Sequence, residues 1–330
     1  MSTRVLVTGV GGAAGVAVVR ALAHRHDVHV FAADMDGWAS GLYLVPADSR
    51  RLVPPGASAE FVPALAAIVQ ADGIDIVIST VDVELVALAS RRDELAPAVL
   101  AAPPEATLAV ALDKYALAER CRDIVNVPTT LLAGPDALAA HWSFPVIAKP
   151  RAGAGGRGVR VVPDQAALEA LPTDEGLIVQ DMLPGEEYSV DVMADAAGRV
   201  IAAVPRIRNR VDSGVSIAGR TVHDAELEQA AGAVAQAIGL VGVANVQLRR
   251  DHEGRAALLE VNPRFPGSMP LTIAAGVDIP SLVVDLFLGR ALPTSIPFRD
   301  IASVRFLEDI VIDPGEVLVS DHAAHQDEAI

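Results

Sequence analysis

The segment Leu258-Leu259-Glu260-Val261-Asn262-Pro263-Arg264 sets a carboxylate, a carboxamide and a guanidinium at alternate positions. On a strand that alternation turns Glu260, Asn262 and Arg264 toward one face. The stretch from Leu248 to Leu259 can form two strands joined by a turn at Asp251 to Gly254, which brings Gln247 near Glu260 and Asn262. Three oxygen-bearing side chains gathered in this way are hard donors suited to magnesium. Arg264 beside them can stabilise charge on a transferring phosphoryl group. The plain alternative is an ordinary strand end with Asn-Pro as a turn.

A second group is marked by scarcity. The chain holds only two lysines, Lys114 and Lys149, and every other strong cation is an arginine. Lys114 lies in Leu112-Asp113-Lys114-Tyr115. Lys149 is followed closely by Gly153-Ala154-Gly155-Gly156-Arg157-Gly158. A compact ammonium beside a flexible glycine loop suits nucleotide phosphates. Two leftover surface lysines are the other reading.

These residues must be positioned by elements that the apolar pattern outlines. The chain has 330 residues, 52% hydrophobic and 21% charged, which is the composition of a globular protein with room for two or three domains. Aromatics make up 4%, so Ala, Val, Leu and Ile must build the cores. The net charge of −16 argues against general nucleic-acid binding, which wants a basic face. A nucleotide pocket needs only a few local cations. The single Cys121 fits a reducing cytoplasm, and no long uncharged apolar run suggests a membrane span.

Arg4 to Thr8, Val28 to Ala33 and Ile74 to Thr80 read as strands, with helices from Val16 to His24 and from Phe61 to Asp72 between them. The alternation indicates an α/β fold with a doubly wound parallel sheet. This first unit is expected over 1–104. A helical stretch from Glu105 to Arg122 carries Lys114. Phe144 to Lys149 and Gly158 to Val162 read as a hairpin with the glycine loop at its tip. A strand from Leu177 to Leu183 runs into Pro184-Gly185, a natural hinge. Expected boundaries are therefore 105–183 for a small lobe, 184–313 for a larger mixed α/β lobe, and 314–330 for a peripheral tail.

Taken in order, Asp113-Lys114, Lys149 with its glycine loop, Gln180 to Leu183, Glu187-Tyr188, Gln247 and Glu260-Val261-Asn262-Pro263-Arg264 resemble the ATP-grasp enzymes. The local wording is most similar to the carbamoyl-phosphate synthetase large-chain branch and its short stand-alone ligases. The resemblance implies a Rossmann-like domain before a two-lobed ATP-grasp fold. It implies that Lys114 and Lys149 contact ATP phosphates and that Gly153, Gly155, Gly156 and Gly158 belong to a loop closing over them. The backbone of Gln180, Asp181, Met182 and Leu183 would read adenine, and Glu187 would accept from ribose hydroxyls. Gln247, Glu260 and Asn262 would hold Mg2+. The implied activity is ATP-dependent joining of a small carboxylate to an amine in a cytoplasmic enzyme without nucleic-acid or membrane partners; related enzymes are often homodimers.

Substrate clues are thinner. In Pro205-Arg206-Ile207-Arg208-Asn209-Arg210 the arginines alternate, so on a strand all three would point one way, toward an anionic substrate or an acylphosphate. That assigns Arg206 and Arg208, with Lys149 and Arg264, to the catalytic set. A solvated edge strand is the alternative. Asp212 to Ser216 reads as a mobile loop over the site. Asp82 and Glu84 could bind a substrate ammonium or merely cap a helix. The turn Gly9-Val10-Gly11-Gly12-Ala13-Ala14-Gly15, with Asp34 at the next strand end, loosely matches a dinucleotide fingerprint. It leaves open an NAD(P)-dependent reductase or epimerase. A non-catalytic nucleotide-binding protein is a third reading.

Overall fold

The computed structural model describes residues 2–153, 156–212 and 215–319. The first unit is a five-stranded parallel sheet. Its strands β1 (Thr3–Thr8), β2 (Val28–Asp34), β3 (Arg50–Leu52), β4 (Ile76–Ser79) and β5 (Val99–Leu100) lie in the order β3-β2-β1-β4-β5. The apolar runs that announce these strands are buried: Val5, Leu6, Val7, Ile76, Val77 and Ile78 have no exposed surface. Burial on both faces is what helices on either side of a parallel sheet impose. The helix Phe61–Asp72 stops where Gly73 takes a left-handed φ of 60°.

A four-stranded antiparallel sheet follows, built from β6 (Thr130–Ala133), β7 (Val146–Pro150), β8 (Arg160–Val162) and β9 (Asp174–Asp181) in the order β6-β9-β7-β8. Val146 pairs with Val162 and Ala148 with Arg160, so the expected hairpin around the glycine loop is present. The third sheet has six strands: β10 (Glu187–Ala194), β11 (Val200–Asp212), β12 (Val215–Thr221), β13 (Gly242–Arg250), β14 (Ala256–Asn262) and β15 (Ala302–Val304). Their order is β14-β13-β10-β11-β12-β15.

The helical stretch expected from Glu105 to Arg122 is two helices, Glu105–Ala111 and Lys114–Cys121. Asp113 makes the break. Its backbone is extended, and its carboxylate accepts from the amides of Tyr115 and Ala116, capping the second helix. These helices bury Ala111, Leu117 and Cys121 against the six-stranded sheet, at Val190 and Val192, and against Leu227 of the helix Ala225–Ala237. They thus pack with the large lobe, although they precede the small one in sequence.

The first unit and the six-stranded sheet share a core, in which Val5, Val18 and Leu22 cluster with Met193, Val204, Phe265 and Met269. The four-stranded sheet keeps its own cluster, including Val146, Ala148, Leu177 and Val179. The tail is tied down as far as it is described. Arg50 pairs with Glu316 at 3.1 Å, and the Leu318 amide donates to the Tyr43 hydroxyl at 3.3 Å. Gly155, the Ser213-Gly214 tip of the expected mobile loop and residues 320–330 lie outside the described residues.

Candidate active site

A cleft of about 900 Å³ opens between the four-stranded and six-stranded sheets. It gathers Lys114, Lys149, Gly153, Gly156, Gln180 to Leu183, Glu187, Arg206, Arg208, Gln247, Glu260, Asn262 and Arg264. Among the described residues, seven Lys and Arg side chains line it against three carboxylates, Asp181, Glu187 and Glu260, in a chain whose net charge is −16. A local excess of cations in a cleft focuses positive potential on a polyanionic ligand. Gly158 does not line the cleft. Its φ is 76°, and a Cβ there would meet the Pro150 ring at 2.8 Å, so glycine serves the hairpin turn.

The two lysines approach the cleft from different elements. Lys149 lies on β7 and is 8% exposed. Burial pushes its ammonium down to about 8; Lys114 acts in the same direction, while Glu260 and Glu187 oppose it. Lys114 opens the helix that Asp113 caps. Its ammonium donates to the Gly153 carbonyl at 2.6 Å and lies 3.8 Å from Glu260. Asp113 also holds Arg151 through both carboxylate oxygens, with a shortest contact of 2.6 Å, and the Lys114 amide donates to the Arg151 carbonyl at 3.0 Å. The helix start and the root of the glycine loop are therefore fastened together. Burial pushes the Asp113 carboxyl up, but Arg151 and the two capped amides outweigh it and hold the group below its ordinary value.

The β13–β14 hairpin sets Gln247 opposite Glu260 and Asn245 opposite Asn262. Asn262 Nδ2 lies 3.5 Å from Glu260 Oε1. The donors here are one carboxylate and two amide oxygens, and no cluster of three His, Cys, Asp or Glu occurs among the described residues. Such a hard but weakly charged set fits magnesium that shares its charge with phosphates rather than a protein-only metal site.

The arginine stripe is shorter than its sequence suggests. Arg206 and Arg208 line the cleft, while Arg210 is exposed and outside it. The register of β11 against β12 shifts between Ile207 and Arg210, which breaks the alternation. Arg206 is 2% exposed, and its Nε and Nη2 are held by Asp191 at 2.9 and 2.7 Å. Arg208 donates to Glu187 at 2.6 Å, so the proposed ribose acceptor is an ion-pair partner too. Gln180 is buried, and its side chain donates to the Thr130 hydroxyl at 2.8 Å, leaving the strand end at Asp181 to turn into the cleft.

The first unit meets the site through a hydrogen bond to Arg264. Asp82 begins the helix Asp82–Ala89 and accepts from Arg264 Nε at 2.9 Å. Glu84 does not line the cleft. It is buried, accepting from Thr8 at 2.5 Å and Ser79 at 2.7 Å, and burial pushes its carboxyl up. The glycine turn closes on itself. The Gly11 amide donates to Asp34 at 2.7 Å, Gly12 to the Gly9 carbonyl at 3.3 Å and Val10 to the Ala33 carbonyl at 3.5 Å. These three amides are thus engaged within the unit, while the first amides of the helix Ala13–Leu22 carry no side-chain cap.

Asn245 is a cleft residue that the motif reading missed. It stands two positions before Gln247 on the same strand, so period-two alternation places it on the same face. Ser189 and Ser268 also reach the cleft and carried no sequence signal, whereas Ser216 ends the segment expected over the site.

Comparison with known proteins agrees with this geometry. A family described as "ATP-grasp in the biosynthetic pathway with Ter operon" matches residues 173–310, and one described as "PylC-like, N-terminal domain" matches residues 5–100. The carbamoyl phosphate synthase large chain of Thermus thermophilus is 30% identical over 229 residues, covering 61% of this chain and 22% of that one. The arginine-specific large chain of Geobacillus stearothermophilus is 29% identical over 187 residues, covering 52% and 18%. The chain thus spans about a fifth of the length of these curated relatives. Among solved structures, biotin carboxylase from Campylobacter jejuni, in a β,γ-ATP complex, superposes with a TM-score of 0.73 at 20% identity, covering 90% of this chain and 74% of that one. N5-carboxyaminoimidazole synthetase from Staphylococcus aureus, complexed with ADP, gives 0.70 at 15% identity, with coverage of 90% and 81%. The structures speak for the fold and the sequence matches for descent. The chain thus carries an ATP-grasp match over residues 173–310 behind a PylC-like match over residues 5–100.

Proposed function

We propose that this chain is an ATP-dependent carboxylate–amine ligase that activates a small carboxylate as an acylphosphate and releases ADP and phosphate. The observation that carries the reading is the convergence of both lysines, Glu260, Asn262 and Arg264 in one cationic cleft, although they come from a helix, from both sheets and from the turn after β14. A free carboxylate is a poor acylating agent because oxide is a bad leaving group. Transfer of the γ-phosphoryl group to the carboxylate oxygen converts the leaving group to phosphate. An amine then attacks the carbonyl carbon, phosphate departs, and loss of the amine proton leaves an amide.

The residues divide this work. Lys114 and Lys149 hold the phosphates as point charges. Gly153 and Gly156 adopt φ of 113° and 70° with open space where a side chain would stand, which suits a loop whose amides fold over the phosphates and exclude water. The backbone from Gln180 to Leu183 reads adenine, and Glu187, oriented by Arg208, accepts from the ribose. Gln247, Glu260 and Asn262 would hold magnesium, which when bound neutralises charge developing between the β and γ phosphates. Arg264 stabilises the phosphoryl group in flight, and Arg206 and Arg208 attract the carboxylate.

Acylphosphate formation has an isotopic signature. With an 18O-labelled carboxylate, one label should appear in the released phosphate. Turnover that yields only unlabelled phosphate would refute the intermediate.

A further inference from the structure

We infer that Asp82 is a positioning residue for Arg264, supplied to the grasp cleft by the N-terminal domain. The inference rests on the proposed role of Arg264. Among the described residues the Arg264 side chain makes three hydrogen bonds: Nε donates to Asp82 at 2.9 Å, Nη1 to the Phe265 carbonyl at 3.3 Å, and Nη2 to Asn262 at 3.4 Å. The last two are long and come from residues within two positions of Arg264 itself. The bond to Asp82 is short, charge-assisted and spans 182 positions in sequence.

Both ends of that bond are fixed from behind. Phe265 is 1% exposed and belongs to the core shared by the N-terminal domain and the large lobe, so the backbone beside Arg264 cannot drift. On the other side, the Val81 amide donates to the Ser79 hydroxyl at 3.3 Å, and Leu85 and Leu88 are buried. With both backbones held, the free variable is the direction of the guanidinium, and Asp82 sets it. The two side chains are 20% and 25% exposed, and for a pair largely removed from water the cost of desolvation offsets the attraction. Its value is geometric. Asp82 does not line the cleft, and it acts through Arg264 rather than on the substrate.

The contact lies on a longer polar chain. Arg264 meets Asn262, Asn262 meets Glu260, and Glu260 faces Lys114, whose ammonium bonds to Gly153 in the glycine loop. A guanidinium released from Asp82 would therefore lose its orientation at the point where phosphate oxygens, magnesium donors and lysine meet.

The test is a mutant cycle on the full chain, with a second readout that needs no substrate. Asp82→Asn keeps the shape and removes the charge. It should lower kcat for substrate-dependent ADP release on the order of 10- to 100-fold, with KM for ATP unchanged. In an Arg264→Ala background it should cause no further loss, and Asp82→Glu should recover part of the rate. An additive loss in that background, or an unchanged kcat, would overturn the proposal. Independently, the Arg264 Nε–H should exchange slowly with water in the wild type and fast in Asp82→Asn, as followed by nitrogen-edited NMR and assigned with Arg264→Lys. Equal exchange in both proteins would overturn it as well. A wild type that turns over no substrate would count against the ligase reading, while the exchange measurement would still decide whether Asp82 holds Arg264.

Discussion

Asp191 is fully buried and grips Arg206 through both carboxylate oxygens, at 2.9 and 2.7 Å. The same carboxylate accepts from Asn245 at 2.8 Å and from Thr272 at 2.5 Å. One acid thus ties three strands and the helix Met269–Ala275 together beneath the cleft. Removing one partner of such a pair leaves an uncompensated charge in the interior. Asp191→Ala should cost about 3–5 kcal/mol of stability. Replacing both partners, as in Asp191→Leu with Arg206→Met, should recover part of that. Urea denaturation of the single and double variants checks the prediction.

Asp113 does two jobs, capping the helix that carries Lys114 and holding Arg151 at the root of the glycine loop. Asp113→Ala should cost about 0.5–2 kcal/mol from the lost cap. It should also raise KM for ATP, because Lys114 loses its fixed starting point. Stability lost without any change in nucleotide affinity would restrict Asp113 to the helix.

The depressed ammonium of Lys149 gives a pH dependence with a defined sign. Its value is about 8 in the folded chain against 10.5 ordinarily. Between those values the unfolded chain holds the proton that the folded chain has released, so the contribution of this group to stability rises with pH across that window. Nucleotide binding should run the other way. ATP affinity should fall as pH rises through about 8, because the phosphates lose their cation. In Lys149→Arg the decline should be absent. Isothermal titration at several pH values decides it.

Much of the site is legible in sequence because its spacing is local. Glu260 and Asn262 share a strand face by alternation, Arg264 follows just past the strand end, and the hairpin turn delivers Gln247 opposite Glu260. Asp113 could also have been read as a cap, which would have split the helix correctly. What could not be read is partnership across long separations. Arg264 meets Asp82 across 182 positions, and Arg208 meets Glu187 from the neighbouring strand. Alternation failed at Arg210 because a register shift in β11, invisible in the residue types, interrupts the period of two. The glycine turn has the same limit, since its fingerprint does not show that Asp34 folds back onto the Gly11 amide.

The N-terminal turn is also tightly packed. A Cβ on Gly15 would sit 2.4 Å from the Gly9 carbonyl oxygen, a backbone atom that cannot step aside. Gly15→Ala should destabilise the chain by about 1–3 kcal/mol. A fluorescence titration with reduced dinucleotide should stay flat in the wild type. Saturable binding would reopen the turn as a cofactor site.

The central claim is that the cleft spends ATP on a carboxylate. The most direct measurement is ADP release from Mg-ATP with pooled amino acids and small carboxylates, run beside Lys149→Ala and Glu260→Ala at matched folded content. The ligase account predicts pool-dependent ADP from the wild type and none from either variant. Near-normal ADP release from either variant, or a wild type that neither binds ATP nor releases ADP, would contradict it.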